Sequence, residues 1–161
     1  MYGTLEKATT YYGSSLPEWD DLDEAQKTTA LNQGSMILDA IYAHRFPGQK
    51  TGGIAQIRQW PREGAQTIRG ELIPFDMVPP AVEVAAFEIS KSEVLRPGGI
   101  LPTSFASQQV KKQKIDVLER EFFKNQSTVS RDNLPFLPVI EGILIDIIND
   151  NQGAFPIFWV R

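Results

Sequence analysis

The chain has 161 residues, enough for one domain with a sizeable core, and its 42% hydrophobic and 22% charged content is ordinary for a globular protein. It holds no cysteine and a single histidine, which excludes disulfides, thiolate metal sites, a Cys–His dyad and any multi-histidine metal site within one chain. A net charge of −4 and a pI near 5.0 argue against a dedicated nucleic-acid binder, whose affinity comes mainly from neutralising phosphates.

No apolar run approaches the roughly 20 residues that span a bilayer. The start, Met-Tyr-Gly-Thr-Leu-Glu, lacks the charged and apolar regions of a signal peptide, so folding in the cytoplasm is expected. Thr4 is a candidate N-cap for a short helix, Leu5–Tyr12, which Gly13-Ser14-Ser15 breaks. An acidic segment follows, with Glu18, Asp20, Asp21, Asp23 and Glu24 around Trp19 and Leu22. Negative charge just before a helix complements the positive end of its dipole. A calcium loop is not indicated, because the D-x-D-x-D-G spacing is missing.

The longest element is a helix over about 24–43, with Ala30, Leu31, Gly34, Ile37, Leu38, Ile41 and Tyr42 recurring at three- and four-residue steps. Gly34 weakens a helix relative to Ala, so it is expected where a neighbour packs closely. His44 falls near the helix end before Phe46-Pro47-Gly48, where an imidazolium suits the dipole. Lys50-Thr51-Gly52-Gly53 superficially looks like a phosphate loop, but the P-loop order places glycines first and Lys-Ser/Thr last. Nucleotide binding is therefore rejected, and 49–57 is expected to be a mobile loop.

The 59–89 stretch opens with Trp60-Pro61-Arg62-Glu63-Gly64, continues as an extended piece over 67–75, and ends at Pro79-Pro80. Proline suits a helix's first turn, where its missing N–H had no partner. The helix it opens carries Val82, Ala85, Ala86 and Ile89 on one stripe, with Glu83, Glu88 and Lys91 off it. Arg62 could bind a carboxylate or stack on an aromatic ring; an arginine fixing its own loop (with Trp60 and Pro61) is the better reading. Arg96-Pro97-Gly98-Gly99 stops this helix, and 100–107 reads as irregular connection.

The 110–123 segment is ambiguous. Helical periodicity aligns Ile115, Leu118 and Phe122, and strand alternation is also possible. Lys111, Lys112 and Lys114 form the only concentrated basic patch. They suit a solvated strand edge, a subunit interface or a DNA-facing surface, and the edge is the simplest reading. No interleaved aromatics supply the stacking platform of a single-strand binder. Pro135 and Pro138 introduce a last helix over 139–148, whose Ile140, Ile143, Leu144, Ile147 and Ile148 require burial on more than one side. The chain ends in Phe155, Pro156, Ile157, Phe158, Trp159, Val160 and Arg161. This apolar tail either pairs with its own sheet or anchors another protein, as aromatic and arginine residues do at interfaces.

The order WPR-x-G, then I-P-x-x-x-V-P-x-A-V and an alanine-bearing helix, resembles a family of tailed-phage head–tail connector (adaptor) proteins, many of which carry the label DnaT-like single-stranded DNA-binding protein. The likeness extends to Met1-Tyr2-Gly3-Thr4-Leu5, to the 30–42 helix with Gly48-x-Lys50-Thr51, and to Val160-Arg161. It implies a β-hairpin turning near Asp116. It also implies a tail (Phe155, Pro156, Ile157, Phe158, Trp159, Val160, Arg161) that docks on a portal protein. Identical subunits would form a ring, a dodecamer matching the portal, with a downstream stopper or tail protein below and double-stranded DNA passing through.

The expected fold is thus mainly α, a small bundle of about four helices with a short β-hairpin and an extended C-terminal tail. Residues 1–153 would form the body and 154–161 the anchor. The expected function is a structural connector in the virion, made in the host cytoplasm, with a single-stranded DNA-binding module as the second reading. Neither catalytic residues, nor a cofactor, nor a metal is expected, since one His and no Cys leave no recognisable catalytic motif.

Overall fold

A computed structural model describes residues 1–99, 113–115, 118–120 and 137–148. Its elements run α1 (Leu5–Tyr12), α2 (Glu24–Tyr42), β1 (Gln49–Lys50), β2 (Arg62–Glu63), α3 (Pro80–Leu95), β3 (Gln113–Ile115), β4 (Leu118–Arg120) and α4 (Pro138–Leu144). The fold is mainly helical, as the periodicity predicts.

Helices α1 and α2 begin at side-chain caps. The Thr4 hydroxyl accepts from Lys7 N at 3.2 Å and opens α1. Asp23 closes a capping box on α2, accepting from Gln26 N at 2.7 Å while the Gln26 side chain accepts from Asp23 N at 2.9 Å. Helix α3 has no side-chain cap; Pro80 sits in its first turn, and the Pro79 carbonyl accepts from Val82 N at 2.9 Å.

The central contact is α2 against α3. Gly34 permits it: a β-carbon there would lie 2.6 Å from the Ala86 carbonyl oxygen and collide with the Ser90 hydroxyl. One core cluster joins Leu38, Ile41 and Tyr42 of α2 to Val82, Ala86 and Ile89 of α3 and to Ile140, Leu144, Ile147 and Ile148 around α4. A second, Tyr12, Leu16, Trp19, Leu31 and Phe87, joins α1 and the acidic segment to α2 and α3. There the Tyr12 ring meets Trp19 edge-on at 4.8 Å. At about 25 cal/mol per Å² of apolar surface removed from water, these clusters dominate the folding free energy.

Three expectations are corrected. The 49–57 segment, expected as a mobile loop, is knit into the body: β1 pairs antiparallel with β2, with Gln49 opposite Glu63 and Lys50 opposite Arg62. Helix α4 ends at Leu144 rather than Ile148, because the chain turns there, with Ile147 N and Ile148 N donating to the Leu144 carbonyl at 2.8 and 2.9 Å. The 67–75 piece is not extended throughout; Gly70 at φ 84° reverses it, and an isolated bridge joins Gln66 to Leu72. Within the 110–123 segment, the described residues Gln113–Ile115 and Leu118–Arg120 form strands, not a helix. β3 pairs antiparallel with β4, Lys114 opposite Glu119 and Ile115 opposite Leu118, the hairpin pairing that the resemblance implies.

Candidate functional site

Trp60, Pro61 and Arg62 lie at the junction of β2 with the helical core, and their role there is architectural. The Trp60–Pro61 bond is cis, and the buried Trp60 ring meets Phe46 edge-on at 5.7 Å. Arg62 is buried, and its guanidinium gathers backbone carbonyls: Nε donates to Pro47 O at 2.6 Å, and its terminal nitrogens to Gly48 O at 2.6 Å and Gln59 O at 3.3 Å. Burial lowers its pKa, yet carbonyl dipoles satisfy its donors. The planar fork thus holds the 46–48 turn against the 59–62 segment, so Arg62 fixes its own loop and presents nothing to a ligand.

Beside this clamp stands a node that sequence reasoning missed. The Tyr2 hydroxyl donates to Asp39 Oδ1 at 2.5 Å and accepts from Gln59 N and Trp60 N at 3.0 and 3.1 Å. Tyr2 N donates to Ser35 Oγ at 2.9 Å. Burial raises the Tyr2 pKa, and burial likewise lifts Asp39 above the usual carboxylate value against the pull of Tyr2 and Arg58. Arg58 approaches Asp39 Oδ2 at 3.5 Å and donates to Asn32 O at 3.1 Å. The chain's second residue is therefore stitched to α2 and to the clamp together. No spacing rule could have announced a contact across 37 positions.

Among the described residues, several cations that could meet a phosphate backbone have partners of their own. Lys7 pairs with Glu83 at 2.8 Å, Arg45 with Glu141 at 2.6 Å and Arg69 with Asp146 at 3.6 Å. Lys50 Nζ donates to Gln56 O at 2.8 Å, and Lys27 lies over the Trp19 ring at 5.8 Å. Among the described residues the aromatics Tyr2, Tyr12, Trp19, Tyr42, Phe46, Trp60 and Phe87 are buried and out of reach of a base, while Tyr11 and Phe75 are exposed. The exposed large side chains are instead mostly aliphatic: Ile54 at 101% and Ile57 at 90% relative exposure, with Ile68, Leu72, Phe75 and Ile145. Ile68 N donates to Asp146 O at 2.9 Å, which ties the 67–70 turn to the chain just after α4.

The remaining predicted sites are only partly placed. Lys114 sits on β3 opposite Glu119. Lys111 and Lys112 lie outside the described residues, as do Phe155, Pro156, Ile157, Phe158, Trp159, Val160 and Arg161, together with the 153/154 boundary between body and tail. Among the described residues, no cluster of His, Asp or Glu could hold a metal ion, and no helix is long and apolar enough to cross a membrane.

A family model described as "Putative DnaT-like ssDNA binding protein" matches residues 1–161. That description agrees with the second reading of the sequence, single-stranded DNA binding, and says nothing of a portal or a virion. No curated protein and no solved structure matches the chain significantly.

Proposed function

The chain belongs to this DnaT-like family, and on that premise we propose that it is a structural head–tail connector (adaptor) subunit of a tailed bacteriophage. In this reading identical subunits form a ring, a dodecamer, beneath the portal. The ring extends the DNA channel and meets a stopper or tail protein below. The C-terminal residues Phe155, Pro156, Ile157, Phe158, Trp159, Val160 and Arg161 anchor each subunit to the portal. The protein is made in the bacterial cytoplasm, resides in the virion and carries out no catalysis.

The observation that carries this reading is the division of the described surface. Among the described residues Lys7, Arg45 and Lys50 have partners of their own, while aliphatic side chains as large as Ile54 and Ile57 stand in solvent. Such a surface suits other protein chains better than phosphate. The net charge of −4 also suits a conduit through which DNA must slide without sticking. A weak anchor repeated around a closed ring becomes strong, because each later docking event is intramolecular.

Single-stranded DNA binding is the second reading, and the family's description favours it. It requires a basic groove with stacking aromatics; its candidate residues from the sequence are Lys111, Lys112 and Lys114. The two readings separate on a titration of the full chain with single-stranded oligonucleotides at increasing salt. The connector reading expects binding that stays weak at physiological salt. Tight binding with a steep salt slope would assign the chain to DNA instead.

A further inference from the structure

The 65–75 strap is apolar on its surface and tied down along its backbone. It carries Ile68, Leu72 and Phe75, each more than half exposed. Thr67 N donates to Glu71 O and Ile73 N to Ala65 O, both at 2.9 Å, around the reversal at Gly70, and Gln66 bridges Leu72. The Thr51 hydroxyl donates to Phe75 O at 2.9 Å and fixes the far end. A surface held in this way loses little further freedom when a segment docks on it.

We infer that the strap is the docking surface for the chain's own Phe155, Ile157, Phe158, Trp159 and Val160, which rest there in cis until a portal takes them; the hand-over to the portal rests on the connector reading. The place where the chain leaves the body selects this occupant. Ile148 is the last described residue before 149–161, and two residues earlier the Asp146 carbonyl accepts from Ile68 N at 2.9 Å. The segment therefore departs beside the strap. Extended chain covers at most about 3.6 Å per residue, so Trp159, eleven residues past Ile148, reaches about 40 Å. Phe75 lies only seven residues from Ile68, at most about 25 Å along the chain, and the reversal at Gly70 shortens that path. The whole strap is within reach.

Composition divides the segment in the same sense. Residues 149–153 are polar, while 155–160 hold five large apolar side chains, as a tether followed by an anchor would. The only charge after Asp150 is Arg161. Glu71 on the strap and Asp76 just past it have no cation partner among the described residues, whereas Arg69 already pairs with Asp146. A tethered segment meets its site at an effective concentration of about 1 mM or more, so modest contacts suffice. Docking in cis covers two apolar surfaces at once, and a portal must outcompete it.

Trp159 supplies the readout, because Trp19 and Trp60 are buried. The difference between the full chain and Trp159→Phe isolates its emission. Acrylamide should quench that emission at least about threefold less steeply than it quenches a free peptide of residues 149–161, at every protein concentration. Leu72→Asp and, separately, Phe75→Ser change exposed positions, and each should restore peptide-like quenching with an unchanged far-ultraviolet spectrum. Each should also tighten portal binding by a similar factor, since the competent fraction rises. Quenching of the parent chain equal to that of the peptide would overturn the inference, and portal binding by that same chain would leave the connector reading standing. Protection that grows with protein concentration would place a neighbour's segment on the strap and overturn it too, as would protection that neither strap variant relieves. Protection relieved by both variants, in a chain that ignores portals, would keep the strap contact and remove the connector reading.

Discussion

Replacing Gly34 by alanine should destabilise the protein although it improves the helix. In a helix interior that exchange normally gains about 1 kcal/mol. Here the new β-carbon would lie 2.6 Å from Ala86 O and 2.9 Å from Ser90 N, where ordinary contact begins near 3.4 Å. Both atoms are backbone, so α3 must retreat by about 0.8 Å along the central contact of the core. Overpacking of that kind costs about 1–3 kcal/mol, and a rigid backbone neighbour places it at the upper end. The net expectation is a loss of about 2 kcal/mol, or roughly 4–8 °C in Tm for a chain of this size. Gly142→Ala is the control, because nothing lies within 4 Å of a β-carbon at that exposed position of α4. It should gain up to about 1 kcal/mol. Urea denaturation followed by circular dichroism and tryptophan fluorescence reads both. If Gly34→Ala matches or exceeds the parent protein, the close α2–α3 approach is not what holds this core.

Arg62→Ala should cost about 1–3 kcal/mol in the same assay, since it removes the donors that meet the buried Phe46 carbonyl and the more accessible carbonyls of Pro47 and Gly48. Arg62→Lys should recover only part of that, and full recovery would contradict the fork geometry. Tyr2→Phe should cost about 1–3 kcal/mol by removing the acceptor for Gln59 N and Trp60 N. Asp39 has a folded pKa above its ordinary 3.8, so its contribution is fully present below that value and is lost as pH rises through the folded pKa. The stability of Asp39→Asn relative to the parent should therefore improve as pH rises from 3 towards neutrality; a relative decline would reverse the assignment. Deleting 155–161 should abolish attachment to a portal while the far-ultraviolet spectrum keeps the helical signal, and unfolding of the truncated chain would remove the anchor role.

How far the sequence foretells this structure depends on the range of the interactions involved. Caps are local, so Thr4, Asp23 and Pro80 mark their helices directly. Gly34 announces a close neighbour because glycine in a long helix needs a reason, although the identity of Ala86 and Ser90 does not follow. The β1–β2 pair has two residues on each strand and no alternation to detect. Arg62 reads as loop-fixing from its type, but its carbonyl partners come from a turn fourteen to sixteen residues back. The run of isoleucines over 139–148 reads as one helix, because periodicity registers burial and not the turn after Leu144. The hairpin at 113–120 lies at the other extreme: helical periodicity points the wrong way, and only the family resemblance identifies the strands.

The central claim, a ring-building subunit seated on a portal, is tested most directly by imaging the full chain mixed with the portal of its own particle. The account predicts a closed ring of copies, matched to the portal's symmetry, stacked beneath it. Portals that remain bare, with the chain found instead along single-stranded DNA, would contradict it.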